Sequence, residues 1–410
     1  MRSRRFLAIV LIIAIFIDLY VFQAIKTITQ SLPPRSRTAI FAAYWALTVL
    51  ALATLILLPF LRLQYTRVSA YIISIILGLY IAKLLTVAFL LVDDIRRLIQ
   101  WLIKQGSQPS SDGSESAISR SSFLSWLGLG MGTGIFGALV YGFSNKYNYK
   151  IHRVQLAYDN LPAAFKGLKI IQLSDIHSGS LANPEAVSKG IDQVLAEKPD
   201  LILFTGDLVN DLAAEVKDYQ AIFSRLQAPM GVFSILGNHD YGDYAGWESV
   251  EAKKANLDRL KQMQKEMGWR LLMNEHVALE KGGQQIALIG IENWSAKARF
   301  PKYGRMDLAY PGVEQYPFKI LMSHDPSHWD AEVRPHYPDI DLMLAGHTHG
   351  MQFGVEIPGL KWSPVQFLYK EWAGLYEEGR QRLYVNRGYG FIGYPGRFGI
   401  LPEITVIELT

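Results

Sequence analysis

Long apolar runs near the start of the chain most limit what it can fold into. Residues 6–25, 38–61 and 68–92 are each almost uninterrupted in apolar side chains. Roughly 20 such residues, wound as a helix, cross the hydrocarbon core of a bilayer. The basic segment before the first run could begin a signal peptide, but the length of the run and the two runs behind it favour an anchor. We therefore expect three transmembrane helices within residues 1–103.

Two charged residues interrupt these predicted spans, Asp18 in the first and Lys83 in the third. The first and third spans run parallel, and the two residues lie at similar depths from the starts of their helices. An unpaired charge in hydrocarbon costs several kcal/mol. We therefore predict a contact between Asp18 and Lys83, with exposure of both to headgroups or water as the alternative.

A polar segment at residues 104–122, rich in Ser, Gly, Asp and Gln, predicts a flexible linker. A fourth transmembrane helix is expected at residues 123–145, where two pairs of glycines have the four-residue spacing that lets helices pack closely. Residues 119–125 resemble a twin-arginine export signal that lacks its second arginine. We expect a multi-pass protein of the cytoplasmic (inner) membrane, and the loop charges leave open the side on which the remainder lies.

The basic charge of the chain belongs to this membrane part. Residues 1–150 carry 15 Lys and Arg against 5 Asp and Glu, whereas the remainder carries 26 against 32. Nucleic-acid binding needs a basic folded domain, so we expect no nucleic-acid partner. The absence of cysteine excludes disulfides and thiolate metal ligands but leaves the compartment open.

Short apolar runs alternate with helical patterns from about residue 150 onward, which predicts an α/β fold with parallel strands. Three of these runs end in side chains that can bind metals: Asp175 and His177, then Asp207, then Asn238, His239 and Asp240. Successive blocks lie 32 and 31 positions apart, about one βαβ unit each. Because the carboxyl ends of such strands meet at one edge of a sheet, we expect the blocks to share one crevice.

Two later predicted strands also end in histidines. Residues 318–322 lead to His324, and residues 340–344 lead to His347 and His349. Five of the nine histidines therefore follow predicted strands, a concentration that favours metal ligands over chance.

In this order and spacing, the blocks resemble the calcineurin-like metallophosphoesterase family. The matching motifs are Asp175-x-His177, Gly206-Asp207, Gly237-Asn238-His239-Asp240, His324 and Gly346-His347-x-His349. The resemblance covers about residues 165–410. The glycine-rich tail and the N-terminal spans are similar to the membrane-anchored bacterial YkuE-like branch of that family.

The resemblance implies a four-layer α/β/β/α sandwich over residues 150–410 that holds two divalent metal ions, Mn²⁺, Fe²⁺ or Zn²⁺. The implied ligands of the first ion are Asp175, His177, Asp207 and His349. The implied ligands of the second are Asp207, Asn238, His324 and His347, with Asp207 shared. Carboxylate, amide and imidazole groups suit such ions. The resemblance also implies attack by metal-bound hydroxide. In it His239 would stabilise the developing charge or protonate the leaving oxygen, and Asp240 would orient His239 through its other ring nitrogen.

Several other residues keep two interpretations. Arg387 and Arg397 of the tail are candidate donors to a substrate phosphate, with an ordinary loop arginine as the alternative. Three residues beside the ligands either support them or lie in solvated loops: Asn210, Asp211 and Asp325. Four aromatic residues either pack in the core or form a lipid-facing rim: Trp294, Trp362, Phe367 and Trp372.

We expect a membrane-anchored hydrolase of phosphomonoester, phosphodiester or pyrophosphate bonds. Tethering by four spans favours a membrane-associated substrate, such as a phospholipid or a lipid-linked nucleotide. Two alternatives belong to other classes: a membrane sensor or transport module with this domain as its output, and a non-catalytic scaffold on the same fold. A scaffold would be expected to have lost ligands, and the sequence does not address the oligomeric state.

Overall fold

The computed structural model describes residues 2–58, 67–104 and 120–410, which form two compact units divided after residue 141. The first unit contains four long helices: α1 (Arg2–Ile28), α2 (Pro34–Leu57), α3 (Arg67–Lys104) and α4 (Arg120–Gly142). All four are long and apolar enough to cross a membrane, so the chain is a multi-pass membrane protein. Most of the predicted linker, residues 105–119, and the end of the second predicted span, residues 59–61, lie outside the described residues.

Helix α3 is longer than the third predicted span, which ended at residue 92. Its 38 residues correspond to roughly 57 Å at the usual helical rise, well beyond the ~30 Å of a hydrocarbon core. The predicted span ended at residue 92 because Asp93 and Asp94 interrupt the apolar run. Charged residues end the part of a helix that can lie in hydrocarbon, but they do not end the helix itself.

Asp18 and Lys83 form an ion pair inside this helical unit, which confirms the predicted contact. The Asp18 carboxylate also accepts hydrogen bonds from the hydroxyls of Tyr80 at 2.9 Å and Thr48 at 3.2 Å. Tyr44 donates to the Asp18 backbone carbonyl at 2.7 Å. Asp18 is fully buried and Lys83 nearly so. These partners offset the cost of placing two charges at depth.

One of the two glycine pairs of α4 lies against α3. A Cβ added at Gly132 would lie 2.5 Å from the carbonyl oxygen of Ala82, and one at Gly128 would crowd the backbone of Thr86. A Cβ at Gly130 or Gly134 would meet no described atom within 4 Å. Close helix approach therefore depends on the first pair.

Two six-stranded sheets form the second unit. The first has the order β1-β14-β2-β3-β4-β5, and its strands are β1 (Lys150–Leu156), β2 (Leu168–Leu173), β3 (Leu201–Phe204), β4 (Val232–Ser234), β5 (Arg270–Leu271) and β14 (Glu403–Leu409). The second has the order β12-β13-β9-β8-β7-β6, and its strands are β6 (Glu275–Lys281), β7 (Gln284–Gly290), β8 (Lys319–Met322), β9 (Leu342–Ala345), β12 (Gly374–Glu378) and β13 (Gln381–Val385). A separate hairpin contains β10 (Val355–Ile357) and β11 (Leu360–Trp362).

The two sheets face each other across an apolar core. Buried side chains of the first sheet, such as Ile170 and Leu203, pack against Leu288, Ile320 and Leu344 of the second. The outer face of the first sheet is covered by α5 (Pro184–Ala196), α6 (Gln220–Phe223) and α7 (Val250–Glu266). Helix α8 (Met306–Ala309) and the turns that lead into α9 (Arg334–His336) cover the other outer face. The result is the expected four-layer α/β/β/α sandwich.

Residues 213–226 do not form one continuous helix. The structure has a short turn of 3₁₀ helix at Ala213–Val216, and α6 follows it separately. The Glu215 carboxylate accepts the backbone N–H groups of Asn210 and Leu212, at 2.6 and 3.1 Å. These bonds tie the turn to the loop after β3, which prevents a continuous helix.

Parallel pairing brings the polar blocks together. Strands β2, β3 and β4 are parallel neighbours in the first sheet, and β8 and β9 are parallel neighbours in the second. Their carboxyl ends therefore lie at one edge of the sandwich, and the loops that leave them carry the sequence blocks that end in possible ligands.

Candidate metal centre

Six predicted ligands come together in two groups of three at this edge of the sandwich. The groups are Asp175, His177 and His349, and Asp207, His324 and His347. Within each group the candidate ligand atoms lie within 4.8 Å of one another. Two adjacent His/Asp triads of this kind are consistent with a binuclear metal site.

Asp207 links the two groups. Its Oδ2 lies 3.2 Å from Nε2 of His324 and 3.6 Å from Nε2 of His177. Its Oδ1 accepts the backbone N–H of His239 at 2.9 Å, which fixes the carboxylate. One oxygen of Asp207 is therefore directed at a ligand from each triad.

The seventh predicted ligand, Asn238, presents a free oxygen to the same site. Its Nδ2 donates to the hydroxyl of Tyr244 at 2.9 Å. Its Oδ1 is buried and has no hydrogen-bond partner within the part of the chain that the structure describes. A buried amide oxygen usually has a partner, and a cation beside it would supply one. The residues present therefore fit a pair of divalent ions.

Hydrogen bonds outside the triads decide which ring nitrogens are available. His324 donates its Nδ1–H to the Thr205 carbonyl at 2.7 Å. Tyr369 donates its hydroxyl to Asp325 at 3.1 Å, so the contact of 2.9 Å between His347 Nε2 and Tyr369 is a donation from His347. Each ring therefore uses one nitrogen outside the triads and turns the other, Nε2 of His324 and Nδ1 of His347, towards the site, where the two atoms lie 3.3 Å apart. Asp325 is thus buried and, through Tyr369, helps to orient the candidate ligand His347. The sequence analysis did not indicate this role for Tyr369.

The backbone at the ligands is unusual. Five of the candidate ligands have positive φ values between 50° and 71°: Asp175, His177, Asp207, His347 and His349. Each non-glycine residue in this left-handed region costs roughly 1–2 kcal/mol. Such strain is typical of functional sites, where the surrounding fold maintains a costly conformation.

Gly346 is required by the close approach of β9 to the loop after β2. A Cβ at this position would lie 2.2 Å from Oδ2 of Asp175 and 2.0 Å from Oγ of Ser174. The Asp175 carboxylate is held there by the backbone N–H of His347, which lies 3.1 and 3.0 Å from its two oxygens. The glycine of the Gly-His block is therefore part of the geometry that positions Asp175.

Burial dominates the electrostatics of the centre. It raises the pKa of Asp175 to about 6 and lowers the pKa of His177 to about 3. Burial alone would also raise the pKa of Asp207, but His324 and His239 hold it well below its usual range. Burial opposes a charge on His324, yet Asp207 raises its pKa to about 10. A metal ion that binds here would therefore replace the proton shared by Asp207 and His324.

The predicted contact between Asp240 and His239 is wrong. His239 donates its Nδ1–H to the backbone carbonyl of Asn210 at 2.7 Å, which directs Nε2 into the site. The fully buried Asp240 carboxylate accepts four backbone N–H groups at 2.8–3.2 Å, those of Asp207, Leu208, Val209 and Gly237. Asp240 therefore positions the two ligand loops and does not touch the imidazole ring.

The predicted phosphate contacts of Arg387 and Arg397 are also wrong, because both side chains are buried and engaged. Arg387 forms ion pairs with Glu403 and Glu356, each at 2.5 Å. Arg397 donates to the Arg387 carbonyl at 2.7 Å and to Nδ1 of His349 at 3.1 Å. These arginines stabilise the tail, and Arg397 also fixes the candidate ligand His349.

A cavity of about 210 Å³ opens over the two triads. Arg299 lines it, stacked on Phe300 with its guanidinium 4.5 Å from the ring centre. No carboxylate pairs with Arg299 within residues 2–58, 67–104 and 120–410. The sequence reasoning missed Arg299, although residues 295–304 hold three basic and no acidic residues, a pattern that could have indicated it.

The fold and the site define the class of protein as a metal-dependent hydrolase, in which a four-layer sandwich follows a membrane module in the sequence. Residues 3–146 match the family model described as "Probable Calcineurin-like phosphoesterase, transmembrane domain", and residues 168–351 match "Calcineurin-like phosphoesterase". The chain belongs to the calcineurin-like phosphoesterase family and is a metallophosphoesterase.

Three relatives illustrate the family's range. The metallophosphoesterase YkuE of Bacillus subtilis is 31% identical over 258 residues, which is 61% of this chain and 81% of YkuE. The phosphodiesterase YaeI of Escherichia coli is 29% identical over 67% of this chain and 92% of its own length. A transmembrane protein with a metallophosphoesterase domain from Danio rerio is 29% identical over 66% of this chain, which spans 60% of that relative.

Proposed function

We propose that this protein uses two divalent metal ions to hydrolyse phosphate esters or pyrophosphates of membrane-associated molecules. The observation that carries the proposal is the position of the Asp207 carboxylate, which has one oxygen directed at a histidine of each triad. A carboxylate in this position suits a bridging role between two ions.

In this proposal the first ion is held by Asp175, His177, Asp207 and His349, and the second by Asp207, Asn238, His324 and His347. Oxygen and imidazole ligands without thiolate suit Mn²⁺, Fe²⁺ or Zn²⁺. Bound ions of this kind lower the pKa of a water molecule and offset negative charge on phosphoryl oxygens.

The chain's own side chains have three further roles in the proposal. His239 presents Nε2 to the cavity and protonates the leaving oxygen, while its Nδ1–H stays on the Asn210 carbonyl. Arg299 binds a phosphate oxygen of the substrate, a role suited to a pocket-lining guanidinium that has no carboxylate partner among the described residues. Phe300 lies over His347, at 4.8 Å between ring centres, and keeps water from that ligand.

The membrane part and the substrate follow from the organisation of the chain. Transmembrane helices within residues 1–103 and 123–145, joined by a linker at 104–122, would anchor the catalytic domain at 150–410 in the cytoplasmic (inner) membrane. A substrate in the same bilayer, such as a phospholipid or a lipid-linked nucleotide, would then be always in reach. The name of the YaeI relative supports a phosphodiester as the bond cleaved.

Two features argue against the alternative functions. A scaffold would be free to lose ligands, yet all seven ligand positions and His239 are present. The polar groups around Asp18 and Lys83 satisfy one another, which supports an anchoring role for the helices.

The test is hydrolysis by the purified full-length protein of a panel of soluble phosphomonoesters, phosphodiesters and phospholipids, with and without Mn²⁺. We expect metal-dependent hydrolysis that Asp207→Asn abolishes. Asp258→Asn, which alters an exposed carboxylate on α7, serves as the matched control. Absence of metal-dependent activity on every substrate, or full activity in Asp207→Asn, would refute the mechanism.

A further inference from the structure

The segment that follows the last ligand, residues 351–368, is unusually apolar at the surface. Six large apolar side chains on it are between 37% and 77% exposed: Met351, Ile357, Leu360, Trp362, Phe367 and Leu368. We name this set the apolar rim. Contiguous exposed apolar surface on a folded domain typically marks an interaction site.

The hairpin of β10 and β11 carries half of the rim. It pairs with neither six-stranded sheet, and its turn places Ile357 and Leu360 on either side of Pro358 and Gly359. Glu356 and Lys361 tie the body of this ribbon to the domain, through Arg387 and the Ala373 carbonyl, whereas Ile357 and Leu360 at its tip are exposed. An apolar environment that covered the tip would remove this apolar surface from water.

Basic residues flank the rim. The basic loop, residues 295–304, contains Lys297, Arg299 and Lys302 and no acidic residue. It lies beside the end of the rim segment, because the Lys297 ammonium is 5.2 Å from the ring centre of Tyr369, the residue that follows Leu368. Within the rim segment the single acidic residue, Glu356, is paired with Arg387. The surface therefore combines apolar side chains with basic ones, although Glu332 interacts electrostatically with Lys302.

The rim and the basic loop also form walls of the metal cavity. Met351 and Leu368 of the rim and Arg299 and Phe300 of the basic loop all line it. Whatever the rim binds is consequently placed at the entrance to the two triads.

We propose that the apolar rim and the basic loop form a membrane-docking surface, which seats the metal cavity against an anionic lipid bilayer. Apolar side chains beside basic ones suit the boundary between headgroups and acyl chains. A bilayer is also the partner that the chain itself supplies, because only residues 143–149 connect the membrane-spanning helix α4 to β1. The substrate class in this inference rests on the proposed function. If the substrate is a phospholipid, the docked surface would admit its phosphate to the metal cavity while its acyl chains lie along the apolar rim.

The absence of cysteine allows a direct test on the full-length protein. Single cysteines replace Leu360 or Phe367, and Lys254→Cys on the exposed face of α7 is the matched control. Each variant is labelled with the fluorophore NBD and reconstituted into vesicles of phosphatidylcholine and phosphatidylglycerol, with and without nitroxide-labelled phospholipid. We expect blue-shifted emission and quenching by the nitroxide lipid at both rim positions, and neither effect at residue 254.

Two results would overturn the proposal. Rim probes that behave like the control would show that the rim stays in water. Blue-shifted probes that the nitroxide lipid does not quench would show that protein, such as a second copy of the chain, covers the rim. Fluorescence reports docking independently of catalysis. Quenching at the rim without any phosphoester hydrolysis would refute the proposed function and leave docking intact. Hydrolysis without quenching at the rim would refute docking and leave the proposed function intact.

Discussion

Replacing Gly346 by alanine tests the geometry of the metal centre with one methyl group. Gly346 does not have a positive φ, so alanine adds no backbone strain. Its Cβ would lie 2.2 Å from Oδ2 of Asp175, roughly 1 Å inside ordinary contact. Asp175 is buried and hydrogen-bonded to the His347 backbone, so its carboxylate has no free space to rotate into. The added methyl group would therefore displace this carboxylate from its position as a candidate ligand. A misplacement of ~1 Å in such a site costs about 100-fold in rate.

The assay for Gly346→Ala is the initial rate of Mn²⁺-dependent hydrolysis, together with metal content by mass spectrometry. We expect about a 100-fold loss of rate and loss of the ion held by Asp175. Gly246→Ala is the matched control, because its Cβ would meet no described atom within 4 Å. A Gly346→Ala protein with wild-type rate and metal content would refute the steric reasoning.

Three further predictions concern other parts of the molecule. Arg299→Gln should raise KM for a phosphodiester roughly tenfold, since a charge-assisted hydrogen bond is worth about 1.5–3 kcal/mol, and an unchanged KM would exclude a phosphate contact. Gly132→Ala should lower the melting temperature in detergent, whereas Gly134→Ala should not, because only the former meets the α3 backbone; equal values would contradict this packing. Burial would raise the pKa of Glu403, but Arg387 lowers it from 4.5 to about 2. That shift contributes about 3 kcal/mol to the free energy of unfolding above pH 4.5, and this contribution is lost as the pH falls towards 2. Glu403→Gln should therefore lose less stability than the wild type between pH 4.5 and pH 2. Identical pH profiles of the two proteins would contradict this prediction.

Features set by local chemistry could be predicted from the sequence. Asn183 caps α5 by accepting the Ala186 N–H at 3.0 Å, with Pro184 in the first turn, and this pair of residues is typical of the start of a helix. Gly282 and Gly283 form the turn between β6 and β7 with positive φ at both residues, and a pair of glycines is typical of such two-residue hairpin turns. The ligand blocks could also be predicted, because parallel strands bring their carboxyl ends together whatever the details of packing.

Apart from the contact between Asp18 and Lys83, features set by distant partners could not be predicted. The pairing of Arg387 with Glu403 depends on β14, which the chain reaches 16 residues later. Asp240 binds the backbone of the preceding ligand loop because that loop lies beside it in three dimensions. The sequence likewise could not separate exposed aromatic residues from core ones: Phe367 is exposed, and Trp372 is buried.

Metal content of the full-length protein tests the central claim most directly. The account predicts that the wild-type protein, loaded with Mn²⁺ and freed of excess metal, retains two ions per chain. Asp207→Asn should retain at most one, because Asp207 would serve both ions, whereas Asp258→Asn should retain two. Two tightly held ions in Asp207→Asn would contradict a binuclear centre organised around this carboxylate.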